Sequence, residues 1–192
     1  MKGCGGRFTI LAAWALLIAL ISPVARADED AAPVDEAQLK ADFVVRLLKF
    51  VDWPAGATRR GEPLKVCILG EDPFDGKLQS VAYPTGRVAG YDVIRSSDVK
   101  VAAGCHLVFV AESEKEGLDT ILRGLQFSHA LTVSDIQGFA DSGGMIEVFM
   151  SGPKLRFTIN LAATQRAGPK LSYKLLKLAV GVKNFDAGES AP

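Results

Sequence analysis

Apolar residues along this chain recur first at helical spacing and then in short runs typical of strands. The first helix is predicted to begin at Asp35, whose spacing to Gln38 resembles an N-terminal capping box. Its apolar stripe comprises Leu39, Phe43, Leu47 and Val51. We expect the helix to end near "FVDWP", because Pro54 disfavours helical geometry at the residue before it.

Four short apolar runs then predict strands, at residues 64–70, 90–97, 105–113 and 129–135. Two segments between them predict helices: residues 71–82, with Pro73 suited to a first turn, and residues 113–125. Residues 145–161 read as two alternating strands around Gly152 and Pro153, which indicates an antiparallel hairpin. A last helix is predicted over residues 172–183.

Strands that alternate with helices are typical of a parallel sheet covered by crossover helices. The fold class predicted is therefore α/β: a single domain over residues 35–184, with a mostly parallel, mixed sheet, flanking helices and a C-terminal antiparallel hairpin. Residues 28–34 and 185–192 show no core-forming pattern, and we expect them to be disordered tails.

The first 27 residues resemble a secretory signal peptide. Lys2 and Arg7 precede an apolar run, and "SPVARA" supplies an Ala-x-Ala site that predicts cleavage after Ala27. The apolar run, residues 10–21, is shorter than the roughly 20 residues that a membrane-spanning helix needs, so a retained anchor is the less favoured alternative. The sequence thus predicts a periplasmic protein.

The charge balance argues against nucleic-acid binding. The chain carries 22 basic and 22 acidic residues, and the pair Arg59 and Arg60 lies in a loop bounded by Gly and Pro, without interleaved aromatic residues. We therefore expect no nucleic-acid partner.

Two cysteines, Cys67 and Cys105, remain after removal of Cys4 with the signal peptide. An oxidising compartment favours a disulfide between them, and the two would lie on neighbouring strands if the first and third strands of the sheet are adjacent. The alternative, that both thiols are buried and unreactive, stays open at this stage.

No catalytic set is apparent. There is no Gly-x-Ser-x-Gly elbow, and the Gly143-Gly144 pair lacks the length and lysine of a phosphate-binding loop. Cys105 and His106 would face opposite sides of a strand and could not chelate one metal ion. We predict no enzyme activity, no metal and no cofactor.

Polar residues follow three of the predicted strands, where ligands bind in doubly wound sheets. This predicts a candidate ligand crevice, for which ordinary helix caps and turns are the competing interpretation. The crevice residues are Glu71, Asp72, Phe74, Glu112, Ser113, Ser134 and Asp135.

Five ordered blocks together resemble the YfiR family of small periplasmic bacterial proteins, over residues 38–182. The blocks are "LKFVDWP", "VCILGEDPF", "GCHLVFVAESE", "LTVSDIQGFADSGGMIEVFMSGPKLRFTINLAATQRAG" and "LSYKLLKLA". The resemblance implies a regulatory protein that binds the periplasmic domain of an inner-membrane diguanylate cyclase and represses cyclic-di-GMP production, and with it biofilm formation.

The resemblance also implies that a cysteine pair supports the fold, and the matching positions are Cys67 and Cys105. A further pair that some relatives carry near the Gly-Gly-Met segment is missing here. Arg46 and Leu47 in the first helix and Tyr173 in the last also depart from the family pattern. If those faces contact the partner, the resemblance does not establish which protein the partner is.

Aromatic residues often anchor protein interfaces, so Phe50, Trp53 and Pro54 are candidate partner contacts. The alternative is that Phe50 and Trp53 cap the core. A homodimer is a further possible assembly. The competing function is a periplasmic module that binds a small ligand in the crevice near Phe74 and Asp135.

Overall fold

The computed structural model describes residues 34–59, 61–83 and 90–184. The predicted signal peptide, nearly all of the predicted N-terminal tail and the predicted C-terminal tail lie outside the described residues. The helices in this part of the chain are α1 (Glu36–Leu47), α2 (Val99–Ala102), α3 (Leu118–Leu125), α4 (Leu161–Ala167) and α5 (Tyr173–Leu178). The strands are β1 (Val51–Asp52), β2 (Leu64–Leu69), β3 (Tyr91–Ser96), β4 (Leu107–Val110), β5 (Leu131–Ser134), β6 (Ile146–Ser151), β7 (Lys154–Asn160), β8 (Lys170–Leu171) and β9 (Gly181–Lys183).

Seven of these strands form one mixed sheet in the order β3-β2-β4-β5-β6-β7-β9. Strands β3, β2, β4, β5 and β6 are parallel to one another, β7 is antiparallel to β6, and β9 is parallel to β7. Strands β1 and β8 pair separately as a short antiparallel ribbon. The predicted fold class, a single α/β domain with a mostly parallel mixed sheet and an antiparallel hairpin, is confirmed.

The core lies on both faces of the sheet, because side chains alternate along each strand. In β4, Leu107 and Phe109 face the layer formed by α1 and α5, whereas Val108 and Val110 face α2 and α3. All four residues are fully buried. A central parallel strand covered on both faces accounts for the continuous apolar run in its sequence.

Side-chain caps set where four of the described helices begin, including α2, where Asp98 accepts a hydrogen bond from the Lys100 N–H. Asp35 accepts a hydrogen bond from the Gln38 backbone N–H, as the capping box predicted, and Ser172 caps α5 in the same way. Asn160 caps α4 and Gly168 ends it at φ +99°, a left-handed conformation that glycine adopts without a steric penalty.

Three predicted helices are shorter in the structure, and one of them is the helix predicted over residues 113–125, which is α-helical only from Leu118 and follows a 3-10 segment, Glu112–Gly117. The segment after β2 forms only a 3-10 turn, Lys77–Ser80, and α5 ends at Leu178, where the prediction continued to residue 183. Residues 181–183 extend the sheet as β9 instead, with Val182 opposite Ile159 of β7. The edge of β7 offers backbone hydrogen bonds that the local helical spacing could not indicate.

Candidate functional site

The carboxyl ends of β2 and β4, where the sequence predicted a ligand crevice, approach each other closely. The backbone N–H of Glu71 donates to Ser113 Oγ at 3.0 Å. Gly70 adopts φ +93°, and a Cβ built there would lie 2.4 Å from Ser113 Oγ. The segments that follow the two strands are therefore in direct contact, and the Ser113 hydroxyl accepts the hydrogen bond that joins them.

Other crevice residues are also engaged within the protein. Phe74 is fully buried and packs edge-on against Phe109, with ring centroids 4.8 Å apart. Ser134 Oγ donates to the Val110 carbonyl at 2.6 Å and accepts from the Ile136 N–H at 3.0 Å. Asp72 accepts from the Phe74 N–H at 2.9 Å and from Arg95 Nε at 2.9 Å, while Glu112 pairs on the surface with Lys115 at 2.9 Å. These contacts favour internal capping over ligand binding at this edge.

Asp135, the last crevice residue, forms a largely buried ion pair with α1. Lys40 Nζ lies 2.6 Å from Asp135 Oδ2 and 2.7 Å from Glu36 Oε1. The side chains of Lys40 and Asp135 are 11% and 14% exposed, and Asp135 Oδ1 has no hydrogen-bond partner among the described residues. Burial alone would lower the pKa of Lys40, but its hydrogen bonds to Asp135 and Glu36 outweigh burial and hold that pKa above its ordinary value.

At the other end of the sheet, residues 50–57 form a surface loop that we call the Trp53 turn. It contains Phe50, Trp53 and Pro54, the three predicted partner contacts, and all three are partly buried. Strand β1 at its start pairs with β8, and the Phe50 carbonyl accepts from the Ser172 N–H at 2.8 Å. The turn is thus tied to the C-terminal half of the domain, and Trp53 still presents part of its surface to solvent.

His106 holds the Trp53 turn against the sheet. Its Nδ1 accepts from the Lys65 N–H at 2.9 Å, and its Nε2 lies 2.7 Å from the Ala57 carbonyl oxygen. Because Nδ1 is an acceptor, the proton resides on Nε2, which donates to Ala57. The ring also contacts Trp53 edge-on, with centroids 5.6 Å apart. The sequence predicted only that His106 could not share a metal ion with Cys105. In the structure, His106 links the Trp53 turn to β2 through two hydrogen bonds.

Cys67 and Cys105 form a disulfide that joins β2 to the turn just before β4. Their Cα atoms are 6.0 Å apart and their sequence separation is 38 residues. Cys67 is fully buried and Cys105 is 7% exposed. Cys105 lies in the turn before β4, whereas the sequence predicted that it would lie within the strand. Since His106 follows Cys105 directly, the disulfide anchors the segment that holds the Trp53 turn.

The outer edge of the sheet carries exposed apolar side chains. Tyr173 and Leu178 of α5 are 70% and 62% exposed, and Val180 and Val182 at β9 are 55% and 45% exposed. Of these residues, Val182 lies on β9, the last strand of the sheet, and an edge strand commonly pairs with another chain. The predicted homodimer stays a prediction.

A groove on the α3 side of the sheet was not predicted from the sequence. It is lined in part by Arg123 of α3 and Arg166 of α4. The residues of α4, "LAATQRA", contain small apolar side chains that give no broad helical stripe, so the element itself was missed. Two residues in the sequence could have predicted this helix: Asn160, which suits an N-cap, and Gly168, which suits the end of a helix.

Two negative observations apply to the described ranges 34–59, 61–83 and 90–184. Within them, no three His, Cys, Asp or Glu side chains are grouped so that they could hold a metal ion. Nor do these ranges include a helix with the length and apolar character needed to span a bilayer.

The protein is thus a disulfide-linked, mostly parallel α/β domain whose candidate contact surface is an aromatic turn. A family model described as YfiR/HmsC-like matches residues 37–180. The chain therefore belongs to the YfiR/HmsC-like family.

Solved structures give a more distant likeness. A conserved domain protein of Vibrio cholerae O1 biovar El Tor is 6% identical with a TM-score of 0.52, and the match covers 78% of this chain and 60% of that one. The ABC domain of a Streptococcus pneumoniae protein in complex with L-Trp is 12% identical with a TM-score of 0.49, covering 74% of this chain and 60% of that one. This chain thus spans 60% of each structure, and the first likeness concerns the fold alone.

Proposed function

We propose that this protein is a periplasmic inhibitory partner that binds the extracytoplasmic domain of an inner-membrane diguanylate cyclase and represses cyclic-di-GMP production. Membership of the YfiR/HmsC-like family over residues 37–180 is the observation that carries the proposal. The predicted signal peptide supports a periplasmic location.

The Trp53 turn is the proposed contact surface. Trp53 is partly exposed on a turn that is fixed by His106, by the β1–β8 ribbon and by the Ser172 N–H bond to Phe50. A fixed aromatic side chain loses little conformational freedom on binding, which is why such residues often dominate interface energy. Exposed Asp52 lies beside Trp53 on β1 and supplies a charge at the rim of this surface.

Inhibition requires a difference in affinity between two conformations of the partner. To turn a cyclase from 99% active to 99% inactive, the inhibitor must bind the inactive form about 10⁴-fold more tightly, or about 5.5 kcal/mol. One aromatic anchor commonly contributes about 2 kcal/mol or more to an interface. A few contacts centred on Trp53, formed with only one conformation, would therefore suffice.

The direct test is a binding measurement between this protein and the purified extracytoplasmic domain of a cyclase encoded in the same genome. We expect Trp53→Ala to weaken binding about 30-fold, which corresponds to about 2 kcal/mol. Asp52→Lys should also weaken binding while leaving the fold intact, because its side chain is exposed.

Phe149→Ala is the matched control, since Phe149 is a partly exposed aromatic residue on β6, outside the Trp53 turn. It should leave the affinity within about twofold. Equal losses for Phe149→Ala and Trp53→Ala, or full affinity of Trp53→Ala and Asp52→Lys, would rule out the Trp53 turn as the contact. No detectable binding of the wild-type protein would count against the cyclase as partner.

A further inference from the structure

The chain has two histidines, and their Nδ1 atoms have opposite hydrogen-bonding roles. His106 Nδ1 accepts from the Lys65 backbone N–H at 2.9 Å. His129 Nδ1 lies 3.0 Å from the Ala167 carbonyl oxygen, which cannot donate, so this nitrogen carries a proton. Protonation of a neutral imidazole makes both ring nitrogens donors. The bond of His129 therefore persists in the charged ring, whereas the bond from Lys65 to His106 is lost.

One form of the His106 ring satisfies both of its partners. The neutral tautomer with its proton on Nε2 accepts from Lys65 at Nδ1 and donates to the Ala57 carbonyl at 2.7 Å. The other neutral tautomer would set Nδ1–H against the Lys65 N–H and leave Nε2 without a proton for Ala57. The charged ring keeps the bond to Ala57 but turns Nδ1 into a donor that faces another donor. Acidification thus creates a conflict at Nδ1.

The backbone at His106 is fixed, so this conflict is relieved by the side chain. A disulfide holds the preceding residue, Cys105. The His106 N–H donates to the Lys65 carbonyl at 2.9 Å, and the His106 carbonyl accepts from the Leu131 N–H at 2.8 Å. Rotation of the ring moves Nδ1 away from the Lys65 N–H, and it moves Nε2 away from Ala57 as well. Both side-chain hydrogen bonds are then broken.

The Trp53 turn depends on this ring for its attachment. The β1–β8 ribbon fixes the start of the turn. Beyond the ribbon, the Ala57 N–H donates to the Pro54 carbonyl at 3.0 Å, a bond within the turn itself. The hydrogen bond from His106 to Ala57 and the ring contact with Trp53 join this part of the turn to the sheet. Rotation of the His106 ring removes both contacts and releases residues 53–57, while the ribbon stays in place.

Neighbouring charges are exposed and do not pair with the ring nitrogens. Both nitrogens contact backbone atoms, so neither is bonded to a carboxylate. The charged and titratable residues on the surrounding segments are Lys65 on β2, Asp52, Arg59 and Glu62 before β2, Lys100 on α2, His129 before β5 and Lys170 on β8. All of them are exposed, and water and salt screen their charges. The hydrogen bonds of the ring therefore decide how the turn responds to pH.

We propose that His106 is a pH-sensitive link between the sheet and the Trp53 turn. The neutral ring holds the turn in the conformation that presents Trp53. Uptake of a proton at Nδ1 rotates the ring, releases the turn and weakens binding to the partner. The release is a property of this chain alone, whereas its effect on the partner rests on the proposed function. Because one proton is taken up, the equilibrium changes by at most about tenfold per pH unit.

Release of the turn is tested without the partner, by acrylamide quenching of Trp53 fluorescence. Trp14→Phe leaves Trp53 as the single tryptophan of the chain. We expect the quenching constant to rise from about pH 7.5 to about pH 5, the range in which histidine changes charge, while circular dichroism shows a folded domain. His106→Asn keeps an acceptor for the Lys65 N–H but takes up no proton, so its quenching constant should stay the same. The matched control, His129→Gln, keeps a donor for the Ala167 carbonyl and should retain the rise.

Three results of this experiment would overturn the link. One is a wild-type quenching constant that does not change with pH. Another is an equal rise in His106→Asn, which would place the titrating group elsewhere. The third is a loss of the circular dichroism signal over the same range, which would indicate unfolding of the whole domain.

Nitrogen NMR of the histidine rings gives a second readout on the wild-type protein, in case His106→Asn does not fold. The neutral His106 ring should carry its proton on Nε2, and its protonation should have the same midpoint as the rise in quenching. A proton on Nδ1 of the neutral ring, or a different midpoint, would also overturn the link.

The affinity for the cyclase domain over the same pH range separates the link from the proposed function. Relative to His106→Asn, which corrects for titration of the partner, the wild-type affinity should fall by up to about tenfold per pH unit. Release of the turn without this fall would overturn the regulation of partner binding. A cyclase domain that binds at no pH, alongside a turn that is released as expected, would refute the proposed function and leave the pH-sensitive link standing.

Discussion

Removing the Cys67–Cys105 cross-link should destabilise the domain strongly. In the chain-entropy model, closing a loop of 38 residues contributes about 4 kcal/mol to the free energy of unfolding. The unfolding entropy is about 2.1 cal/mol/K per residue, so residues 37–180 give about 0.3 kcal/mol/K. The melting temperature should therefore fall by about 13 °C.

The assay is thermal unfolding followed by circular dichroism, on the oxidised and the reduced wild-type protein. The two samples have the same side chains and packing volume, so their difference reports the cross-link itself. Because Cys67 is fully buried, reduction should be verified by mass after alkylation of an unfolded sample. Cys105→Ser should melt close to the reduced protein, lowered further by a buried hydroxyl next to Cys67.

The functional consequence follows from the position of His106 after Cys105. Breaking the disulfide should make His106 more mobile, and with it the Trp53 turn that His106 holds. Binding to the partner should therefore weaken. A reduced protein that melts within about 3 °C of the oxidised one would refute the stability argument. Free labelling of both thiols in the native protein without reductant would contradict the disulfide itself.

Three further substitutions test individual contacts by urea unfolding. His106→Phe keeps a ring beside the Trp53 turn but loses two hydrogen bonds, and should cost about 2 kcal/mol; an unchanged midpoint would contradict the link. Gly144→Ala places a Cβ 2.1 Å from the buried Phe139 ring and should cost about 3 kcal/mol, whereas Gly117→Ala meets its nearest atom at 3.8 Å and should be nearly neutral. Lys40→Met leaves Asp135 buried without its cation and should cost about 3 kcal/mol, most of it recovered by adding Asp135→Leu. Because the folded-state pKa of Lys40 is raised above 10.5, its contribution is complete below pH 10.5 and lost as pH rises through the raised value. A wild-type profile that matches Lys40→Met at high and neutral pH alike would contradict this.

The sequence predicted those elements whose cause is local. The apolar run at residues 107–110, the Asp35 cap and the two-residue turn at Gly152 and Pro153 each determine structure through neighbouring residues. The short elements β1, β8 and β9 escaped prediction because two or three residues carry no periodicity. They exist because a partner strand distant in sequence supplies their hydrogen bonds.

The candidate site was less predictable than the fold. The sequence indicated which strand ends meet, but not that Phe74 would be buried in the core there. Its burial depends on packing against Phe109, which is distant in the sequence. His106 could not be assigned a role, since its partners Lys65 and Ala57 are 41 and 49 residues away. Trp53 was predicted as a partner contact from its residue type alone, and its edge-on contact with His106 became visible only in three dimensions.

The central claim, repression of a diguanylate cyclase through the Trp53 turn, is tested most directly by cellular cyclic-di-GMP. Deleting the gene in cells with the cyclase intact should raise cyclic-di-GMP, and the wild-type gene or Phe149→Ala should restore the low level. Trp53→Ala, expressed to the same amount, should fail to restore it. An unchanged level after deletion would contradict the repression, and full restoration by Trp53→Ala would contradict the role of the turn.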